Sequence, residues 1–315
     1  MKPKIVITGG TGFLGTNLAI RLHRDQQRII CVDDFSRLGS RDNANWLKAG
    51  GVKVIQCDYS GYQFPPDTTH VFHLAAQVTV TDSWADPWRD FETNAVKTVK
   101  LLEQLKSIRD PSKKQPFVIY TSTNKVYGEP SIAVVPEIHR LSFQSPYALS
   151  KAIADQYVLL YNEMGLPGCV SRNSCIYGSR QHGIEGQGWL AYIARRIINK
   201  ERVSIFGDGT QVRDVLHVSD WVEAMLAILA RKNTRGQVFN IGGGKDNSIS
   251  VNDAVERLQK IIGVEVEVEH LPKRKGDQKI YVSDVKKAKD ELDWEPKVSI
   301  DEGLADLVSW IPWSS

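Results

Sequence analysis

Little in this chain is in excess, and the scarcities exclude several classes of function. Its four cysteines, Cys31, Cys57, Cys169 and Cys175, show no C-x-x-C spacing, and three lie among apolar neighbours. Such usage is expected of reduced thiols, not of a disulfide framework or a metal site. Charge of one sign is also scarce. The 40 basic and 37 acidic residues leave +3, too little to make nucleic acid the main partner, although basic groups can still gather round one anionic ligand. No apolar run approaches the roughly 18 residues of a membrane span. The N-terminus passes from Met1-Lys2-Pro3 straight into the strand-like Lys4–Thr8 without an apolar signal region, so a cytoplasmic protein is expected. Repeats, low-complexity tracts and long linkers are missing, and most of the seven histidines read as ordinary core or surface residues. What remains is a globular chain of 315 residues, 42% hydrophobic and 24% charged, long enough for one large or two closely joined domains.

The first half alternates β-branched runs with amphipathic segments. Strands are expected at 4–8, 28–32, 52–57, 70–74, 117–121 and 168–172, and helices at 12–25, 41–49, 90–106 and 146–164. That alternation predicts an α/β, doubly wound parallel sheet, a Rossmann domain over 1–175. After about Ile176 the pattern loosens. A glycine-rich loop (183–188) leads to a helix at 189–199, a strand at 203–206, a helix at 220–231, a strand at 238–241 and a helix at 251–262. Residues 176–315 are expected to form mainly a smaller substrate-binding domain, with parts of 206–245 returning to the first.

Gly9-Gly10-Thr11-Gly12-Phe13-Leu14-Gly15 follows the first strand and opens the first helix. Such a loop turns backbone amides and the positive helix end toward a pyrophosphate. Asp33, at the end of the second strand, suits the adenosine ribose hydroxyls and would repel a 2′-phosphate, so NAD is the expected cofactor. Arg37 lies close enough in sequence to keep NADP open. Asp58, ending the third strand, is a candidate for the adenine amine or a strand-end cap.

Ser145-Pro146 signals a helix start, which sets Tyr147 and Lys151 one turn apart on one face. An unperturbed tyrosine, with a pKa of about 10, is a poor base at neutral pH. A neighbouring ammonium favours its phenolate. Thr123, at a strand end, can hydrogen-bond the same substrate oxygen. Thr123, Tyr147 and Lys151 are therefore the expected catalytic trio for taking a proton from an alcohol while a nicotinamide takes the hydride.

Taken together, Gly9–Gly15, His73-Leu74-Ala75-Ala76, Thr93-Asn94, Thr123–Gly128, Tyr147-x-x-x-Lys151 and Arg213–His217 resemble the extended short-chain dehydrogenase/reductase superfamily, its nucleotide-sugar branch in particular, over essentially the whole chain. The resemblance implies that Leu74, Ala75, Ala76 and Asn94 line the cofactor path, together with Gly9, Gly12, Phe13, Leu14, Tyr147 and Lys151. It implies a nucleoside-diphosphate sugar as substrate, with Arg213 and Arg274 on the diphosphate and Asp277 contacting the ribose or ordering an arginine. It places Thr123, Asn124 and Gln187 at the substrate, with the loop 181–189 as sugar contact or lid, and implies a homodimer built on the Tyr–Lys helix and its predecessor.

The reaction turns on Asn124 and Lys125. Dehydratases of this superfamily carry an Asp–Glu pair there, and decarboxylases usually a Glu; this chain has neither. Epimerisation by transient oxidation and re-reduction is what remains. Asn124-Lys125, Arg180–Gly183, Gln187–Trp189 and Gln211–His217 resemble the CDP-paratose (CDP-tyvelose) 2-epimerases, and Cys175 departs from the Asn usual in 4-epimerases. A UDP-sugar 4-epimerase stays open as the alternative. A non-catalytic NAD-binding regulator, which would commonly have lost the tyrosine or the lysine, is a third reading.

Overall fold

Seven strands in the order β3-β2-β1-β4-β5-β7-β11 form the main sheet, in a computed structural model that describes residues 4–108, 115–274 and 276–312. Met1–Pro3 and Lys275 of the basic loop lie outside the described residues. The strands are β1 (Lys4–Thr8), β2 (Arg28–Asp33), β3 (Lys53–Gln56), β4 (Thr68–His73), β5 (Phe117–Thr123), β7 (Gly168–Asn173) and β11 (Val238–Ile241). Strands β1 to β5 pair in parallel. Their buried runs, such as Ile5-Val6-Ile7 and the whole of β5, reflect a sheet covered on both faces. This is the doubly wound α/β fold expected from the alternation. Its strand order reverses direction between β1 and β4, where such sheets open a crevice at the strands' carboxyl ends.

The helices grouped with this sheet are α1 (Phe13–Arg24), α2 (Ser40–Ala49), α3 (Val80–Ala85), α4 (Pro87–Asp90), α5 (Lys97–Ser107) and α6 (Pro146–Glu163), while α8 (Val218–Ala230) falls mostly in a second compact unit. The helix expected at 90–106 proves composite, because Phe91–Val96 runs as a π-helical stretch between α4 and α5. One extra residue per turn breaks the 3.6 spacing on which the expectation rested. Leu101, Leu102 and Leu105 of α5, Val158 and Tyr161 of α6, and Val6, Val71 and Val118 of the sheet share one apolar core.

By contacts the chain divides into two compact units. The first takes the described residues of Met1–Thr123, Pro146–Arg172 and Ile228–Phe239, and the second takes Asn124–Ser145, Asn173–Ala227 and Asn240–Ser315. This differs from the division expected at 175, since 124–145 groups with the second unit. The reason lies in its partners. Strand β6 (Val134–Val135) pairs with β14 (Ile280–Ser283), the Gln278 side chain donates to the Gly128 carbonyl, and the Lys279 N–H donates to Glu129 at 2.7 Å.

The second unit holds β12 (Ser248–Ser250), β10 (Val212–His217), β14 and β6 in that order, with β8 (Cys175–Tyr177) also on β10. A separate parallel pair joins β9 (Val203–Phe206) to β13 (Val268–Leu271). Helices α7 (Trp189–Ile198), α9 (Val251–Ile262), α10 (Lys286–Leu292) and α11 (Ile300–Trp310) complete it. The Ser250 side chain caps α9, and a Ser299–Glu302 capping box starts α11. The apolar faces of α7, α9 and α11 form this unit's core. Among the described residues, no helix is long and apolar enough to cross a membrane.

Candidate active site

The first unit builds a dinucleotide cradle where the strand order reverses. Gly9 has φ +68° and lies so close to the chain after β4 that an added Cβ would stand 2.7 Å from the Ala75 nitrogen. A Cβ on Gly15 would stand 2.2 Å from the Gly9 carbonyl oxygen. These two positions therefore require glycine, and they bring the start of α1 against Leu74–Ala76. Helix α1 begins after Gly12 without any side-chain cap, leaving first-turn amides for an anion. Asp33 is buried, and its carboxylate accepts the Thr11 N–H at 3.1 Å and the Phe35 N–H at 2.9 Å. Burial raises its pKa above the usual carboxylate range, a cost that the hydroxyl donors of a ribose would offset. The cradle thus fits a dinucleotide.

Two expected cofactor residues have side chains already engaged. Asp58 accepts from Ser60 N–H and Oγ at 2.9 and 2.8 Å and from Lys97 Nζ at 2.6 Å, which is the cap geometry. The Asn94 amide accepts the Gln77 N–H at 2.9 Å and donates to the Gln77 carbonyl at 3.1 Å and to Ser150 Oγ at 3.0 Å. It braces the loop after β4 against α6. His73, in the same motif, is fully buried between Thr8 and Thr98 hydroxyls at 2.7 and 2.9 Å, and burial lowers its pKa to about 3. It stays neutral and ties β4 to β1 and α5.

The trio is assembled from β5 and α6. All three residues are buried, and the Thr123 hydroxyl hydrogen-bonds the Tyr147 phenol. Burial pushes Tyr147 up to about 12, opposed by the Thr123 bond and by the charge of Arg37. Lys151 donates to the Thr121 carbonyl at 2.6 Å, and its ammonium stands 4.3 Å from the centre of the Tyr120 ring. Burial brings it down to about 7, partly opposed by Asp155. Its folded value lies below the unfolded one, so its charge opposes folding below about pH 7, and that cost fades as the pH rises toward the unfolded value. The expected depression of Tyr147 by Lys151 is not what dominates here; desolvation is, relieved first by the Thr123 hydrogen bond and then by the charge of Arg37. Arg37, expected only to bear on the choice between NAD and NADP, feels both Tyr147 and Asp33.

The second unit gathers the anion-binding candidates. Arg213, on central strand β10, is buried; its Nη2 donates to Asp277 Oδ1 at 2.6 Å and to the Gln278 carbonyl, and its Nη1 to the Val212 carbonyl at 2.7 Å. Asp277 therefore orders this arginine. Lys125 reaches the same Asp277 oxygen at 3.7 Å. Burial alone would raise the pKa of Asp277, yet Lys125 and Arg213 hold it below the usual carboxylate range. Arg274 stacks on Phe206 at 3.5 Å and donates to the Glu185 carbonyl and carboxylate at 3.0 and 2.7 Å. Gln187 lies on the same loop, its backbone paired with Ile184 in a tight turn. Asn124 is buried in the turn that carries Lys125. Sequence reasoning missed Glu185, an exposed loop acid with no local pattern to mark it. It also missed the buried pair of Asp155 with Arg172, for which the only signals were a charge one turn beyond Lys151 and an arginine in an apolar strand.

A glycine cradle at the strand reversal, an acid at the end of β2, and a hydroxyl–tyrosine–lysine trio define an extended short-chain dehydrogenase/reductase. A family model described as GDP-mannose 4,6 dehydratase matches residues 6–307. The CDP-paratose 2-epimerase of Salmonella typhi is 35% identical, with 98% of each chain covered. The crystal structure of a UDP-glucose 4-epimerase with UDP-glucose from Thermotoga maritima matches at a TM-score of 0.88 and 32% identity over 98% of each chain. A UDP-glucuronic acid 4-epimerase from Bacillus cereus, in complex with UDP-glucuronic acid and NAD, matches at 0.89 and 28% over the same share. The chain belongs to the GDP-mannose 4,6 dehydratase family, a class of NAD-dependent nucleotide-sugar epimerases and dehydratases.

Proposed function

We propose that this enzyme is an NAD-dependent CDP-sugar 2-epimerase of the CDP-paratose type. The observation that carries the reading is the state of residues 124 and 125. No carboxylate stands there, and Lys125 is drawn into the Asp277–Arg213 cluster instead of standing as an acid–base group. Elimination of water therefore lacks its proton-transfer pair, whereas oxidation and re-reduction at one carbon needs only the trio. The 35% identity with a CDP-paratose 2-epimerase supports the same choice.

NAD would lie against Gly9, Gly12, Phe13, Leu14, Asp33 and Leu74–Ala76, and when bound it supplies reversible hydride acceptance. Tyr147 takes the proton of the sugar C2 hydroxyl, and Thr123 hydrogen-bonds the same oxygen and fixes its geometry. Lys151 holds the nicotinamide ribose and, once charged, stabilises the phenolate. The keto sugar turns its other face before reduction, and a site closed to water protects it meanwhile. Arg213 and Arg274 bind the diphosphate, with Glu185 released from Arg274 as they do so. That exchange is easy, since an exposed ion pair contributes only about 0–1 kcal/mol, whereas a forked arginine–phosphate contact is charge-assisted twice over.

The test is turnover of CDP-paratose, CDP-tyvelose, UDP-glucose and UDP-glucuronate by the purified protein, with bound cofactor identified by mass. Interconversion of the two CDP sugars on tightly held NAD is expected; turnover confined to UDP sugars would reject the reading. A UDP-sugar 4-epimerase is the second reading, favoured by the likeness to the Thermotoga enzyme.

The expected assembly is a cytoplasmic homodimer. Leu149, Tyr157 and Leu160 along α6 and Met164 just past its end, with Trp88 and Phe91 before α5, leave large apolar side chains exposed that a second copy would cover. Light scattering should give twice the chain mass, and Leu160→Asp should shift it toward monomer; a monomeric wild type would end this proposal.

A further inference from the structure

We infer that Lys125 is a substrate-binding residue, holding the sugar-proximal phosphate and so selecting substrates that react at the carbon next to the anomeric one. The inference rests on the function proposed above. Lys125 and Arg213 converge on a single oxygen, Asp277 Oδ1, at 3.7 and 2.6 Å. Two cations on one carboxylate leave a net positive charge in a largely desolvated place, with Lys125 and Arg213 only 21% and 6% exposed. Burial and then the adjacent Arg213 both press on the ammonium, lowering its pKa, so an arriving anion relieves a real repulsion. The position is also fixed. The Gln278 side chain donates to Gly128, and the Lys279 N–H donates to Glu129, so the C-terminal end of the 124–129 turn is tied to the segment that carries Asp277.

The covalent chain supplies a ruler. Lys125 follows Thr123 by two residues, so their Cα atoms lie within about 7 Å. Thr123 is placed at the reacting hydroxyl. In a nucleotide sugar, C2 is bonded to the anomeric carbon that bears the phosphate, whereas C4 lies across the ring. A cation tethered so close to the reacting hydroxyl therefore meets the sugar-proximal phosphate most readily when C2 reacts. In this chain the position that carries a proton-transferring carboxylate in dehydratases becomes an anion hold.

The experiment uses the NAD-loaded enzyme and calorimetric titration with CDP, CMP and UDP, comparing wild type, Lys125→Met, Lys125→Gln and Lys125→Arg. Loss of one charge-assisted contact should weaken CDP by about tenfold or more. CMP, which lacks the sugar-proximal phosphate, should change by less than about twofold on the same reasoning, and Lys125→Arg should keep most of the CDP affinity. In turnover of the accepted nucleotide sugar, the loss should fall on KM. NAD affinity and thermal unfolding report whether each variant is folded, and the glutamine variant stands in if the methionine variant is not. CDP affinity unchanged in the folded Met or Gln variant overturns the inference, as does equal weakening of CDP and CMP. A fall in kcat with a lost limb of the pH profile overturns it too, because it would make Lys125 an acid–base group. If wild type binds neither CDP nor UDP, the nucleotide-sugar reading itself fails; wild-type binding with insensitive variants removes the inference alone.

Discussion

Replacing Tyr147 with Phe should lower kcat by about 10²–10⁴-fold while NAD stays bound. The substitution removes one oxygen from a buried ring and leaves the cradle at Gly9–Gly15 untouched. It deletes the only group in the trio that can accept the alcohol proton, since Lys151 is turned to the Thr121 carbonyl and Thr123 is an ordinary hydroxyl. The pH dependence separates a chemical role from a packing role. In the ligand-free chain the phenol is held near 12 by burial, so its base form is scarce at neutral pH. The sign follows directly: kcat/KM of the wild type should climb from about pH 6 to about pH 9, as deprotonation becomes easier. The residual activity of the phenylalanine variant should lack that slope. A flat wild-type profile, or a variant that keeps its activity, would remove Tyr147 from the role of base.

The largest effect on stability is expected from Asp155→Asn. Arg172 grips Asp155 through Nε at 2.8 Å and Nη2 at 3.2 Å, and both side chains are almost wholly shielded from water. Removing the carboxylate charge leaves a guanidinium buried without its counter-ion, which costs about 3–5 kcal/mol. Chemical denaturation should show this as a shift of midpoint with little change in slope. Replacing both residues together, Asp155→Leu with Arg172→Leu, should recover much of the loss, because an apolar pair of similar volume carries no desolvation penalty. Activity should not recover with it. Asp155 stands one turn beyond Lys151 and raises a lysine that burial has brought down to about 7. Without that carboxylate less of the lysine is protonated at neutral pH, and the phenolate of Tyr147 loses support. A double variant as active as the wild type would show that the pair serves the fold alone.

The sheet was legible because its strands are apolar, β-branched and spaced by helices of ordinary period. Strands β1, β9 and β11 and helix α9 fall where residues 4–8, 203–206, 238–241 and 251–262 place them. What escaped notice has physical causes. Strands β6, β8 and β12 are two or three residues long, too short for alternation to register. Strand β10 carries Arg213, Asp214 and His217 inward, so its polarity hides its burial. In the site, the expected trio lies on β5 and α6, and Thr123 and Tyr147 meet through a hydrogen bond. The electrostatics were less legible, because a pKa depends on what is excluded as much as on what is near. Lys151 was read as the cation that tames Tyr147, whereas desolvation acts on both.

The division of the chain between Thr123 and Asn124 has a consequence for how such enzymes diversify. The last residue of the unit with the dinucleotide cradle and the first of the unit that carries the proposed anion-binding side chains share one peptide bond. A lineage could rewrite the two residues beyond that bond and exchange one outcome for another, with the hydride-handling inventory left as it was. Transplanting that pair from a relative would then be a smaller step than rebuilding a cofactor site. The seam is where a designer would cut first.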